Sequence, residues 1–249
     1  MAYVASTTTF NPTLNELMEE AFERCGLELR TGYDFRTARR SLNFLTTEWA
    51  NRGINLWTIE QKQIPLIQGQ YVYDLPDDTI DLLEHVIRTN SGQLGNQTDI
   101  NISRISVSTY STIPNKLAQG FPIQVWVNRR NGQSELSSGG SPVFYPPQIN
   151  IWPSPDQGTE ASPYYYFVYW RLRRMKDAGT GVNAEDIPFR FQNALVAGLA
   201  YMIAAKKIEV PMDRIAMLKA QYDEAWDLAT SEDREKAPDR FVPRITFYR

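Results

Sequence analysis

The sequence predicts an α+β protein: a helical bundle built from the N- and C-terminal helices, with a β-rich insert between them. Three observations carry this. Apolar residues recur every three or four positions up to about residue 55 and again after residue 186. Between those stretches, β-branched and aromatic residues come in short runs cut by Gly, Pro and Asn. The chain has 249 residues, enough for one large domain with a sizeable insert, and at that length roughly 70–75% of the unfolded surface is buried without help from a metal or disulfide.

Residues 1–10 are polar and Thr-rich and read as an extended arm. A helix then starts at Asn11-Pro12-Thr13, where Thr13 and Glu16 have capping-box spacing. Leu14, Leu17, Met18, Ala21, Phe22 and Cys25 follow at helical spacing, and Gly26 supplies the C′ position. A second helix spans about Asp34 to Asn51 on the stripe Phe35, Ala38, Leu42, Leu45 and Trp49, and Gly53 stops it. Residues 11–55 are the first half of the bundle. The β-rich insert covers 56–185. Its predicted strands are Gln63–Ile67 and Gln70–Leu75 around Gln68-Gly69, then Pro122–Val127, Gln148–Trp152 and Tyr164–Leu172. Periodicity leaves Ile102–Ser111 open between short helix and strand, and Asn131–Ser141 reads as a Gly/Ser-rich loop. Residues 186–235 complete the bundle. Pro188 sits near a helix start, Phe191, Leu195, Leu199, Met202 and Ile203 share one face, and alanines around them imply burial on most sides. Pro211 opens a last helix with the stripe Ile215, Leu218, Tyr222, Ala225 and Ala229. Residues 236–249 cannot continue it across Pro238 and Pro243 and read as an extended tail that needs a partner surface.

Net charge is −3 with a pI near 5.4, which disfavours sequence-independent nucleic-acid binding. One cysteine, Cys25, excludes an intrachain disulfide and fits synthesis in a reducing compartment. The N-terminus has no basic start followed by an apolar core, so no signal peptide is expected, and the longest apolar run, Ala194–Ala205, is too short to span a membrane.

Chemistry is sparse. The single histidine, His85, lies in the apolar stretch Ile80–Ile87 beside no nucleophile signature and reads as structural. One His and one Cys do not make a structural zinc site, which usually takes four such ligands. No phosphate-binding glycine loop or nucleophile elbow occurs. Asp74, Asp77, Asp78, Asp81 and Glu84 form the densest acidic cluster; they read as a solvated turn and helix start, with divalent-cation binding as the sharper alternative. Tyr164–Trp170 reads as a strand covered on both faces, although aromatics beside Arg171, Arg173 and Arg174 are also the makings of a base-stacking platform. Arg36, Arg39 and Arg40 lie off the apolar stripe of the second helix, where a solvated face and a subunit interface both stay open. No catalytic, cofactor-binding or metal-binding residue is assigned.

Several strings read together. They are Ala38-Arg39-Arg40-Ser41-Leu42-Asn43-Phe44-Leu45, Trp49, Arg52-Gly53 and Leu56-Trp57, then Gly69-Gln70-Tyr71-Val72-Tyr73-Asp74-Leu75-Pro76. Ile105-Ser106, Tyr110, Ile113-Pro114-Asn115-Lys116, Gly120-Phe121-Pro122, Val125-Trp126-Val127 and Ile149-Asn150-Ile151-Trp152-Pro153-Ser154-Pro155 follow. Their order, from about Asn11 to Glu235, resembles the head-to-tail adaptor (packaged-DNA stabilisation, or tail accessory) proteins of short-tailed bacteriophages. The resemblance implies a structural, non-enzymatic virion protein at the head–tail junction. It implies a ring, twelve-subunit in such adaptors, between the portal protein and the tail nozzle or spike proteins, with double-stranded DNA passing through the channel without sequence-specific binding. It also implies that the C-terminal extension docks on the portal, which points to Arg240, Phe241, Arg244, Phe247, Tyr248 and Arg249, with Arg36, Arg39 and Arg40 as the subunit-interface candidates. A cell-wall glycan hydrolase and a carbohydrate- or receptor-binding virion protein are the alternatives.

Overall fold

The computed structural model describes residues 12–53, 56–130, 134–136, 142–176 and 186–233. The chain mixes helix and sheet in an α+β fold and divides into two compact units: Met1–Ile54 together with Lys176–Arg249, and Asn55–Met175. The expected arm, residues 1–10, and tail, residues 236–249, lie outside the described residues.

The first unit is helical, with α1 (Leu14–Cys25) and α2 (Gly32–Asn51) from the N-terminal part. Thr13 and Glu16 close the capping box on α1: the Thr13 Oγ1 accepts from the Glu16 amide at 3.4 Å, and the Glu16 carboxylate accepts from the Thr13 amide at 2.6 Å. Gly26 ends the helix in the left-handed conformation at φ 76°. All six residues of the predicted stripe are buried. The second helix starts two residues earlier than the sequence pattern places it, because Thr31 and Asp34 form a second capping box with Asp at the N3 position. Asp34 also pairs with Lys207 at 2.9 Å, and the Thr31 hydrogen bond, followed by that of Lys207, holds its carboxyl below the ordinary range.

The C-terminal part of the unit holds a 3-10 turn at Phe189–Phe191 and two helices, numbered after a short α3 (Val107–Ser111) in the other unit: α4 (Gln192–Ala204) and α5 (Met212–Glu232). Helix α4 packs against α1, α2 and α5. It is buried nearly all round, as its alanines predict, and the small side chains let neighbours approach closely. At Gly198 an added Cβ would lie 2.8 Å from the Tyr222 ring and 3.1 Å from Leu45. Trp49 is fully buried; its indole donates to the Tyr222 hydroxyl at 2.9 Å, and its ring lies 5.0 Å from Trp226 and 5.7 Å from Phe191. The thiol of Cys25 reaches the Ala200 carbonyl at 3.1 Å, and burial pushes its pKa up to about 11, so it is an inert core group.

The second unit contains two four-stranded sheets and a small hairpin. The strands are β1 (Ile59–Leu66), β2 (Val72–Asp74), β3 (Thr79–Thr89), β4 (Thr98–Asn101), β5 (Ser103–Arg104), β6 (Gln124–Asn128), β7 (Ser134–Leu136), β8 (Pro142–Phe144), β9 (Gln148–Trp152) and β10 (Tyr165–Arg173). One sheet has the order β1-β10-β3-β4, antiparallel throughout. The other is β2-β9-β6-β5, with only β5 and β6 parallel. Residues of both sheets share one apolar core, including Leu66, Leu82 and Phe167 from the first and Tyr73, Val125 and Ile149 from the second.

The two strands predicted around Gln68-Gly69 both exist but do not pair with each other. The chain turns at Gly69, φ 76°, and changes sheet, so β1 joins β10 and β2 joins β9. The Tyr73 hydroxyl closes this corner by accepting from the Ile67 amide at 2.9 Å. Ile102–Ser111 divides between both open readings, β5 and then α3, which is capped by Ser106. The expected helix start in the acidic cluster is a strand instead. Thr79–Thr89 holds the β-branched residues Thr79, Ile80, Val86, Ile87 and Thr89, its alternation is broken by two register shifts against β10, and pairing with β10 and β4 outweighs any helix-dipole preference.

Candidate docking surfaces

The helical unit carries its candidate functional groups on the outside of α2. Its buried side, built on Ala38, Ser41, Leu42, Leu45 and Trp49, turns the opposite side to solvent. There, Tyr33 is 65% and Phe44 61% exposed, with Arg36 and Arg40 exposed between them. The spacing 33, 36, 40, 44 is one helical stripe. Arg36 and Arg40 form no ion pair among the described residues, whereas Arg39 is half-buried and engaged. The structure therefore groups two of the three predicted arginines and adds two aromatics that sequence reasoning passed over. Their signal was present: large apolar residues at helical spacing on the wrong side of the buried stripe.

A groove of ≈ 510 Å³ opens between α1, α4 and α5. Asn193 and Ala197 of α4, Arg24 of α1, and Met217, Glu224 and Leu228 of α5 line it. Its cations are already engaged. Arg24 pairs with Glu20 at 2.9 Å and donates to the Asn193 side-chain Oδ1 at 3.2 Å, while the Arg214 guanidinium donates to the Arg24 main-chain carbonyl at 2.6 and 3.2 Å. Met217 is 41% and Leu228 64% exposed, and Glu224 is exposed between them.

In the β-rich unit, charge is used internally. Arg171, 4% exposed, donates to Glu60 at 2.9 Å and pairs with Asp78, and Arg173 pairs with Glu60 at 2.8 Å. The Arg171 hydrogen bond holds the Glu60 carboxyl below its ordinary range. At Asp78 burial pushes up, but the hydrogen bond and charge of Arg171 outweigh it and the net shift is downward. These contacts leave neither Arg171 nor Arg173 as an open cation beside the aromatics of β10, while Arg174 is exposed. The strand expected to be covered on both faces is fully covered on one: Tyr165, Phe167 and Tyr169 are buried, while on the other face Val168 is buried, Tyr166 and Trp170 are half-buried and Tyr164, just before β10, is exposed. The acidic cluster is dispersed: Asp81 pairs with Arg104 at 2.7 Å and Asp74 accepts from Gln148 at 2.7 Å. His85 stacks on Phe167 at 5.9 Å, and burial, then the Arg104 charge, push its pKa below the ordinary histidine value. No group of His, Cys, Asp and Glu able to hold a metal ion occurs among the described residues, and no described helix is long and apolar enough to cross a membrane.

The family model described as SU10 adaptor protein matches residues 12–243, nearly the whole chain. The chain belongs to the SU10 adaptor protein family. This agrees with the phage-adaptor resemblance read from the ordered strings. No curated protein matches the chain. The match takes in both units of this SU10 adaptor, including the α2 stripe and every α5 residue that lines the groove. The portal-docking candidates Arg240, Phe241, Arg244, Phe247, Tyr248 and Arg249 lie outside the described residues.

Proposed function

We propose that this SU10 adaptor is a structural connector of the phage virion, a ring of copies at the head–tail junction between the portal protein and the tail nozzle or spike proteins. The observation that carries the reading is the family match over residues 12–243. The protein works by docking and not by catalysis. The N- and C-terminal helices act as the ring-forming bundle, with the β-rich part inserted between them and available to tail proteins. Rigid helical faces suit repeated head-to-tail contacts between subunits. Tyr, Phe and Arg, exposed on α2 and concentrated in residues 240–249, are residue types favoured at binding hot spots. A net charge of −3 suits a channel that DNA slides through, since a basic wall would retain phosphates. The ring helps to retain packaged DNA until ejection.

The test is capture of the tagged chain from its native lysate, followed by electron microscopy. Rings stacked on portals are expected. Deleting Phe241–Arg249 removes portal docking and leaves the far-UV circular dichroism unchanged. A truncated chain that docks as well as the full one refutes the assignment of the tail.

A further inference from the structure

We infer that the α2 stripe of one copy seats in the α1–α4–α5 groove of the next, so that Tyr33, Arg36, Arg40 and Phe44 meet Met217, Gln221, Glu224 and Leu228 of a second copy of this chain. This rests on the ring reading above and names the two surfaces that mate.

The spacing matches. Tyr33 and Phe44 are eleven positions apart, as are Met217 and Leu228. At 1.5 Å per residue each stripe is ~16 Å long. Laid antiparallel, Tyr33 falls opposite Leu228, Arg36 opposite Glu224, Arg40 opposite Gln221 and Phe44 opposite Met217. Aromatic rings cover aliphatic side chains at both ends, with an ion pair between them. The exposed apolar groups that need covering lie at those ends: Tyr33 and Phe44 on one surface, Met217 and Leu228 on the other.

Charge is complementary as well. Arg36 and Arg40 bring two cations without an ion-pair partner among the described residues. On the groove side Arg24 is paired with Glu20, Arg214 keeps its charge while donating to a main-chain carbonyl, and Glu224 is the exposed carboxylate of the α5 stripe, with Asp227 and Asp213 exposed on the same helix. Arg36 thus meets Glu224 across the contact, a local pairing of opposite charges that fixes register, whereas a stripe-to-stripe contact would set arginine against arginine.

Placement makes the contact intermolecular. Asn193 and Ala197 of α4 line the groove, whereas Gly198 faces the Tyr222 ring of α5 and Leu45 of α2. Successive helical positions point ~100° apart, so α2 covers a different flank of α4 from the groove and its outer stripe faces away from it. Two different patches on different flanks give a heterologous contact, the kind that propagates from copy to copy and forms a ring where its rotation closes.

The experiment uses the full chain. Phe44→Cys and Met217→Cys are made singly and together, oxidised mildly, and run on non-reducing gels. The native Cys25 is buried and stays silent. The double variant is expected to give a ladder of covalent oligomers, the mixed single variants to stop at dimers, and each single variant to stay monomeric. In parallel, mass photometry on Arg36→Glu/Arg40→Glu and on Glu224→Arg is expected to show the assembly midpoint raised at least about tenfold. The combined reversal recovers assembly. Dimers from Phe44→Cys alone mean that the stripe meets its own copy, and overturn the inference. So does a Met217→Cys/Phe247→Cys chain that closes an intrachain disulfide while the ladder is missing, since the groove then holds the chain's own tail. A wild type that assembles while the ladder is absent and the reversals have no effect overturns the mating surfaces and leaves the ring reading standing. A wild type that stays monomeric in solution and is absent from portals overturns both.

Discussion

Replacing Gly198 by alanine sets two effects of opposite sign against each other in the centre of the helical unit. In a helix interior Ala is favoured over Gly by about 0.8–1.0 kcal/mol, so a site with room would gain stability. Here the new Cβ lies 2.8 Å from Tyr222 Cε2 and 3.0 Å from Cδ2, with Leu45 at 3.1 Å. The ring cannot swing aside freely, because Trp49 holds its hydroxyl at 2.9 Å and the Arg52 guanidinium lies 5.5 Å from its centre. Inserting a methyl group into such a packed site costs about 1–3 kcal/mol. The steric term wins, and Gly198→Ala should lose about 1 kcal/mol net. Urea unfolding followed at 222 nm reads this unit, since the long helices belong to it. Tyr222→Leu supplies the control, because it removes Cε2 and leaves a rotatable end. In that background the same Gly198→Ala change should turn into a gain. Stabilisation of the otherwise unmodified protein by Gly198→Ala would refute the reasoning, because the close approach would then not constrain the helix.

In the β-rich unit, Arg171→Ala should cost about 3 kcal/mol, the lower end for breaking a buried pair, because Glu60 and Asp78 keep side-chain exposures of 35% and 47% and can reach water. Arg171→Met strands the same two carboxylates and should cost nearly as much, whereas Arg171→Met/Glu60→Gln/Asp78→Asn, which removes the charges together, should stay closer to the parent; equal damage from the triple change would argue against the role of charge pairing. The same carboxyls set a pH dependence. The folded-state pKa values of Glu60 and Asp78 are lowered, so their contribution is present above the unfolded carboxylate range near ~4 and is lost as pH falls through the folded values. The urea midpoint should therefore hold from neutral pH down to that range and then drop, and Glu60→Gln/Asp78→Asn should flatten the drop.

Local features of this protein were legible in its sequence. The capping box at Thr13 and Glu16, the buried stripe of α1 and the central helix α4 depend on residues three or four apart, and the chemistry of a cap or an amphipathic face is complete within that distance. Strand β9 was read with its boundaries, because an apolar run next to turn-forming prolines needs no distant partner to be recognised. The start of α2 was placed late because Asp34 at N3 was read as the helix opening rather than as the second half of a box begun by Thr31.

Tertiary structure decided what depends on partners far along the chain. Strands β1 and β2 are neighbours in sequence but belong to different sheets, since each pairs with a strand about a hundred or about eighty residues away and hydrogen-bond register is indifferent to sequence distance. Asp78, read as one of a surface cluster, holds Arg171 of β10 from just before the start of the neighbouring β3, and that contact removes the arginine from any basic platform. The groove exists only where α1, α4 and α5 converge, so no window of sequence contains it. The two aromatics of α2 were visible as residues, yet only the fold showed that the face they share with Arg36 and Arg40 is left open. Sequence fixes which side chains can share a face of one element; burial, which assigns each face to core or to solvent, is settled only when the other elements arrive.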